Sequence, residues 1–491
     1  MRAILCSRNA VAIAIVGCML STFCSPGSAA ASESPNMILI MADDMGWGDP
    51  GYNGNKIIKT PHLDQMSREG IRFSRFYAAS SVCSPTRGAC LTGRHPYRYG
   101  VYSANVGHLK TDEISLAEIL RDRGYATGHF GKWHLGTLSK EYSGKGPGRR
   151  PAENYSTPGM NGFTEWFSTE FAVATWDPYD PANSHLKKGE PFDTRALYWY
   201  NGRNVEEALT GDDSRIIMDK TLPFIENAVE QDRPFFAVVW FHAPHAPVVG
   251  GPEYRAMYAE HDEDAQHYYA CITALDEQVG RLRTRLKELG ADQNTMIWFC
   301  SDNGPEGNPA ARRRHRGSAG PYRGRKRSLY EGGIRVPGLL VWPEKVKEPR
   351  VIDIPCVTSD YLPTVLDVVA IPMPTDRPYD GISLLPIING TVTERPDPIR
   401  FQFMSQAAMS DSRYKLVHNT GDKRPRSDNG DVPFAKWELY DLQEDPGETT
   451  NVIDQYPEIA ARLRSQLEEW QASCRTSDAG GDYKSASAET E

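Results

Sequence analysis

The sequence predicts an α/β fold: a large, mainly parallel sheet flanked by helices on both faces, joined to a smaller C-terminal α+β subdomain with an antiparallel sheet. Three observations carry that prediction. Short, wholly apolar runs recur as far as Trp342, helical patterns fall between them, and this alternation stops near Pro396. A strand buried on both faces reads as a continuous apolar run, and strands that alternate with helices pair in parallel.

The elements follow in order. Met37-Ile38-Leu39-Ile40-Met41 is the first buried strand. Thr60-Pro61 opens a helix that runs to Gly70, with Thr60 as its cap and proline in the first turn, where the missing N–H costs nothing. A helix spans Ser115 to Arg123 and stops at Gly124; a strand follows from Ala126 to Phe130. Asp213 to Gln231 is helical, and Phe235 to Phe241 is a buried strand. Tyr268, Ile272, Leu275, Val279, Leu282 and Leu286 recur at helical spacing, and Gly290 separates that helix from the strand Thr295 to Cys300. Pro337 to Trp342 is another strand. Residues 136–204 are rich in Gly, Pro, Asn and aromatics without periodicity, and read as a long surface excursion. Past Pro396, Arg400 to Phe403, Tyr414 to His418 and Trp437 to Leu442 read as short antiparallel strands, closed by a helix from Ile459 to Trp470. The expected organisation is a signal peptide over 1–31, a catalytic domain over 32–395, a C-terminal subdomain over 396–476 and a polar, disordered tail over 477–491.

The N-terminus supports export. Arg2 and Arg8 precede an apolar run from Ala10 to Met19, and small residues end in Ala29-Ala30-Ala31. This is the pattern of a secretory signal with an Ala-x-Ala cleavage site, too short to span a bilayer. Ile15-Val16-Gly17-Cys18 offers a minority alternative, a lipoprotein box with Cys18 lipidated. No later segment reaches transmembrane length. The net charge of −9 argues against a general nucleic-acid binder. Outside the signal remain Cys83, Cys90, Cys271, Cys300, Cys356 and Cys474, whose spacings form no disulfide framework.

Several polar clusters stand directly after predicted strands, where ligands bind in open α/β sheets. Asp43-Asp44 follows the first. Adjacent carboxylates are costly unless a cation neutralises them, although a capping or turn pair is the plainer alternative. Ser301-Asp302-Asn303-Gly304 supplies further hard oxygen ligands, or else a simple turn. Gly131-Lys132-Trp133-His134 and His242-Ala243-Pro244-His245-Ala246-Pro247 bring histidines suited to proton transfer near neutral pH. Residues 322–333 carry Lys326 among arginines and then Glu331-Gly332-Gly333; a solvated basic loop is the alternative. Cys83-Ser84-Pro85-Thr86-Arg87, running on to Leu91-Thr92-Gly93, opens a helix whose N-terminus is a ready anion site.

Cys-x-Pro-x-Arg followed by Leu-Thr-Gly resembles the signature of the type I, formylglycine-dependent sulfatases of the alkaline phosphatase superfamily, of the arylsulfatase and N-acetylgalactosamine-6-sulfatase kind. The other clusters appear in that family's order, and Leu439-Tyr440-Asp441-Leu442 with Asp445-Pro446-Gly447-Glu448 is similar to its ending. The resemblance implies an alkaline phosphatase-like sheet and hydrolysis of sulfate monoesters. It also implies that a maturase oxidises Cys83 to Cα-formylglycine (3-oxoalanine). Thr86 stands where the best-known pattern has Ser and keeps the hydroxyl.

By the same resemblance, one calcium ion is held by Asp43, Asp44, Asp302 and Asn303 with modified Cys83. Asp302 also accepts the proton of the attacking hydroxyl. Arg87 and Lys132 position the hydrated aldehyde. His134 is the base for elimination; His245 and Lys326 contact the sulfate, with His245 protonating the leaving oxygen. A hydrated formylglycine has two hydroxyls, so one attacks sulfur and loss of the other's proton expels sulfate. His242 either lines the pocket or only packs. Arg312, Arg313, Arg314, Arg316, Arg323, Arg325 and Arg327 form a basic stretch suited to a polyanionic, sulfated carbohydrate, or a solvated loop. Trp166, Trp176, Tyr179, Trp199 and Tyr200 offer a sugar-stacking wall, or core. Two rivals stay open: a phosphate or phosphonate ester hydrolase of the same superfamily, and an unmodified glycan-binding protein.

Overall fold

The Asn36–Ala42 strand lies at the centre of a ten-stranded sheet in the computed structural model, which describes residues 34–184, 192–307, 314–420 and 434–483. The expected signal over 1–31, Cys18, Arg312, Arg313 and residues 484–491 lie outside the described residues. Five neighbouring strands run parallel: Thr295–Ser301, Asn36–Ala42, Phe235–Trp240, Ala126–Lys132 and Glu165–Thr169. Gly338–Val341 pairs antiparallel with Thr295–Ser301 and with Ile71–Phe73.

Alternation along the central strand explains why it reads as one apolar run. Met37, Leu39 and Met41 enter one core with Cys90, Leu116 and Leu120, while Ile38, Ile40 and Ala42 enter another with Leu63, Ile217 and Leu275. Successive side chains of a strand point to opposite faces, and both faces are covered by helices. Burying each Leu, Ile or Met among them stabilises the fold by about 1.5–3 kcal/mol. From Pro35 on, the chain forms one compact unit.

The register decides where the polar residues meet. Ala42 stands beside Ser301, and Trp240 beside both Met41 and Gly131. Asp43, Asp302, Phe241 and Lys132 therefore emerge along one edge. Gly131 has φ +101°, and a Cβ there would lie 2.0 Å from the Trp240 carbonyl oxygen, so only glycine fits this strand end.

Some expectations need correction. The strand expected to end at Phe130 continues through Lys132. Thr60 holds the N-cap position of the Pro61–Glu69 helix, as expected, but its side chain makes no capping hydrogen bond to the helix's first amides. Asp276 supplies those acceptors from another helix, accepting from His62 N at 3.0 Å and Leu63 N at 2.7 Å. The 136–204 excursion is not all surface: Glu165–Thr169 joins the sheet in parallel, and Tyr198–Tyr200 extends it antiparallel. Glu-Trp-Phe-Ser-Thr has no apolar run to announce a strand. Its aromatics are mostly structural: Trp166 and Tyr179 are buried, Trp199 packs on the core, and Trp176 covers Gly251.

At the C-terminus, Ile399–Phe403, Gln406–Ser410, Tyr414–Asn419 and Trp437–Asp441 form an antiparallel sheet in sequence order. Gln406–Ser410 escapes the sequence because Gln-Ala-Ala-Met-Ser has little strand propensity. The closing helix runs from Pro457 to Asp478, past the expected start of a disordered tail. Tyr483 Oη donates to Glu113 at 2.6 Å and Asp482 pairs with Arg94 at 2.5 Å, which fixes the chain beyond it.

Candidate active site

Cys83 is the first residue of the Cys83–Thr92 helix and is buried. Pro85 falls in the first turn, where helices tolerate it. Thr86 Oγ1 donates toward the carbonyls of Ser80 and Val82 at 3.1 and 3.3 Å and accepts from Ser80 N at 3.2 Å, pinning the loop that enters the helix. One turn after Cys83, Arg87 lies over the Trp240 ring at 5.1 Å and reaches the strand ends.

Three buried carboxylates and three buried cations interlock there. Arg87 Nη2 is 2.6 Å from Asp302 Oδ2, Lys132 Nζ is 2.5 Å from Asp43 Oδ2, and Lys326 Nζ is 2.6 Å from Asp44 Oδ1. Asp44 N donates to Asp302 Oδ1 at 3.1 Å, and Asn303 Nδ2 donates to Asp44 Oδ1 at 2.7 Å. Asp44 has φ +67°, an uncommon conformation that aims its side chain into the cluster.

This arrangement leaves hard oxygens unpaired. Asp43 Oδ1 and Asn303 Oδ1 are buried without a hydrogen-bond partner among the described residues. Ligand atoms of Asp43, Cys83 and Asp302 lie within 4.8 Å of one another, as do those of Asp43, Asp44 and His245. Burial and the neighbouring Asp43 carboxylate push Asp302 up to about 6 despite Arg87. Burial opposes ionisation of Asp44 too, but Lys326 and His245 hold it well below the usual carboxylate range. An orphaned carboxylate oxygen and an orphaned amide oxygen beside two further carboxylates, Asp44 and Asp302, are the donor chemistry of a hard divalent cation, and the residues fit one.

Cys83 opens into a cavity of about 330 Å³. Lys132, His134, His245 and Lys326 line it with Cys83. Burial, followed by Lys132 and Arg87, keeps His134 well below the ordinary histidine range, so its ring is neutral. His245 Nδ1 donates to the Ala246 carbonyl at 2.6 Å, and its Nε2 faces Asp44 Oδ2 at 3.8 Å. Burial and Lys326 lower its proton affinity while Asp44 raises it. Burial also raises the Cys83 thiol, against Lys132 and Lys326.

His242 lies outside this cavity. Its ring bonds Asp213 Oδ2 and Thr169 Oγ1, each at 2.7 Å, and ties three elements together below the site. Among the described arginines of the basic stretch, Arg327 alone lines the cavity, and Glu306 pairs it at 2.5 Å. Arg316 pairs with Asp262, Arg314 donates to Val248 O, Arg325 to Gly317 O and Arg323 to Tyr440 Oη. These four described arginines brace the loop against neighbouring parts of the chain. Asn105, Lys145, Phe171, Phe403 and Met404 also line the cavity, and nothing in their local sequence marks them. Phe171 and Phe403, not the expected tryptophans, supply its aromatic walls.

Residues 35–371 match the family model described as Sulfatase, and residues 322–473 match that of the N-sulphoglucosamine sulphohydrolase C-terminal region. The chain is 33% identical to N-acetylgalactosamine-6-sulfatase of Canis lupus familiaris over 388 residues, 75% of this chain and 69% of the relative. It is 32% identical to arylsulfatase A of Bos taurus over 467 residues, 88% of this chain and 86% of the relative. Among solved structures, Ps i-CgsB in complex with k-i-k-neocarrahexaose is similar, with a TM-score of 0.74 at 27% identity over 92% of this chain and 94% of that one.

Proposed function

The chain belongs to the sulfatase family and hydrolyses sulfate esters, and from that premise we propose that Cys83 is the precursor of its nucleophile and that the ester is borne by a carbohydrate. The observation that carries this reading is the placement of Cys83 at a helix N-terminus, facing a cavity walled by Lys132, Lys326, His134 and His245. Hydrated formylglycine at this position supplies two hydroxyls on one carbon. Asp43, Asp44, Asp302 and Asn303 would hold a calcium ion, which supplies positive charge beside the reacting ester.

The chain's own residues do the rest. The sulfate enters as an anion, and Lys132, Lys326 and the N-terminal amides of the Cys83 helix meet its charge. Arg87 fixes Asp302 through two donors to one oxygen, at 2.6 and 3.2 Å, so Asp302 is aimed to accept a proton. Neutral His134 takes a proton from the second hydroxyl. His245 borders the leaving alcohol; an anion bound beside it raises its affinity for the proton it then gives to that oxygen. The relative named for N-acetylgalactosamine-6-sulfate supports a sulfated sugar, and Phe171 and Phe403 offer ring faces for one. The signal-like N-terminus supports a periplasmic or secreted site of action and encounter with a maturase during export.

Mass analysis of the Cys83 peptide from protein made in its native host tests the nucleophile. An aldehyde in place of the thiol is expected; an unmodified cysteine in active protein would overturn it. Turnover of a panel of sulfated mono- and oligosaccharides, with matched aryl sulfate and aryl phosphate, tests the substrate class. Preference for the phosphate would favour the rival hydrolase.

A further inference from the structure

Asn105 sits between the two groups on which this mechanism turns. It occupies a tight turn, closed by Val106 N donating to Ser103 O at 3.1 Å. Its φ of +61° is the left-handed conformation that asparagine tolerates best among residues with a side chain. Its backbone N–H donates to Ser84 Oγ at 3.3 Å, which ties the turn to the residue after Cys83. Its side-chain Oδ1 lies 3.0 Å from His134 Nε2.

An amide oxygen can only accept, so the hydrogen of the neutral imidazole must be on Nε2. The lone pair is then on Nδ1. That atom is buried and has no hydrogen-bond partner among the described residues. His134 itself has φ +58°, so two non-glycine residues in the left-handed region meet through this one bond. Strained backbone of this kind clusters where geometry serves function.

We propose that Asn105 is a positioning residue for the hydrolytic reaction: it fixes the tautomer and ring plane of His134, so that Nδ1 is the atom that accepts the proton. The inference rests on His134 being the base, as proposed above. Asn105 reaches the chemistry through the histidine, and its bond to Ser84 sets the distance between that histidine and the nucleophile's helix.

Variants Asn105→Ala, Asn105→Asp and His134→Ala, assayed with an aryl sulfate across pH, provide the test. Loss of the amide should lower kcat by about 10- to 100-fold, part of the 10²–10⁴ a positioned base contributes, with KM little changed. A carboxylate also only accepts, so Asn105→Asp should keep the tautomer and retain more activity than Asn105→Ala. Its charge should raise the proton affinity of His134 and move the acidic limb of the kcat profile to higher pH. If His134→Ala abolishes turnover but Asn105→Ala leaves kcat and the pH profile unchanged, the positioning role falls and the base survives. If Asn105→Asp is the more damaged of the two variants, the amide instead donates to Nε2 and the tautomer assignment falls. If His134→Ala is itself active, the mechanism underneath is wrong. Thermal melting of each variant separates these outcomes from misfolding.

Discussion

Arg87 Nη2 lies 2.6 Å from Asp302 Oδ2, with both side chains fully buried. Arginine at this position is therefore a structural clamp as well as part of the site. Removing it leaves Asp302 buried beside Asp43 with one cation fewer. Breaking a buried pair in this way costs about 3–5 kcal/mol. Arg87→Ala should lose that much in urea unfolding. Arg87→Lys, which cannot reproduce the Nε and Nη2 contacts or the packing on Trp240, should lose a substantial part of it. An unchanged denaturation midpoint in Arg87→Ala would show that the carboxylates are neutralised in another way.

The orphaned oxygens of Asp43 and Asn303 make a prediction that needs no turnover. A ligand that binds only the folded chain raises its stability with concentration, by about 2.7 kcal/mol at a hundred times its dissociation constant. Added calcium should raise the melting temperature and a chelator should lower it. Asp43→Asn and Asn303→Leu should each blunt the calcium response. A melting temperature indifferent to calcium in the unsubstituted protein would remove the ion from the site.

Lys145 stands where the catalytic cavity meets a second, more apolar one of about 200 Å³, and both share Phe171 and Ala172. Its Nζ lies 4.2 Å over the Phe171 ring. Burial and the nearby Lys132 lower its proton affinity, so an anionic substituent on the substrate would be a favourable partner. Lys145→Ala should raise KM about tenfold for an oligosaccharide with several sulfates, the worth of one charged hydrogen bond of roughly 1.5 kcal/mol. For a small aryl sulfate it should change KM little. An equal rise for both substrates would mean that Lys145 meets the reacting sulfate itself.

The contrast between Lys145 and Lys132 shows what the sequence discloses. Lys132 follows an apolar run, and the residues at parallel strand ends meet whatever their separation in sequence. The same logic made Asp43, Asp302 and His245 legible, because their strands announce themselves by burial on both faces. Lys145 and Asn105 belong to loops whose paths depend on tertiary packing, and nothing periodic surrounds them. The strand Glu165–Thr169 was hidden for a related reason: two of its five residues are aromatic, but its polar neighbours break the pattern that marks a buried strand. The arginine-rich stretch shows the opposite case. Its charges are conspicuous in sequence, yet carbonyls and carboxylates of its own loop and neighbouring helix take up most of those described.

Asp380 gives a prediction for acid stability. Its carboxylate accepts from Arg98 Nε at 2.7 Å, Arg98 Nη2 at 2.9 Å and His95 N at 2.6 Å, and also from Trp470 Nε1 of the closing helix at 2.8 Å. Arg98 in turn donates to Ser473 and Ser477 on that helix. Burial would favour the neutral acid, but Arg98 beside it holds the carboxyl well below the usual carboxylate range. The unfolded chain takes up a proton near the ordinary aspartate value of about 3.9. Between that value and the lower folded one, the unfolded chain binds more protons than the folded chain, so stability rises with pH. The contribution is present in full above about pH 5 and is lost as pH falls below 4. Asp380→Asn should cost about 3–5 kcal/mol at neutral pH, because it leaves Arg98 buried and unpaired. The difference from the unsubstituted protein should then shrink as acid is added. Urea midpoints read by tryptophan fluorescence at neutral pH and near pH 3 measure both arms, and a gap that stays constant with pH would show that Asp380 does not carry the charge assigned to it.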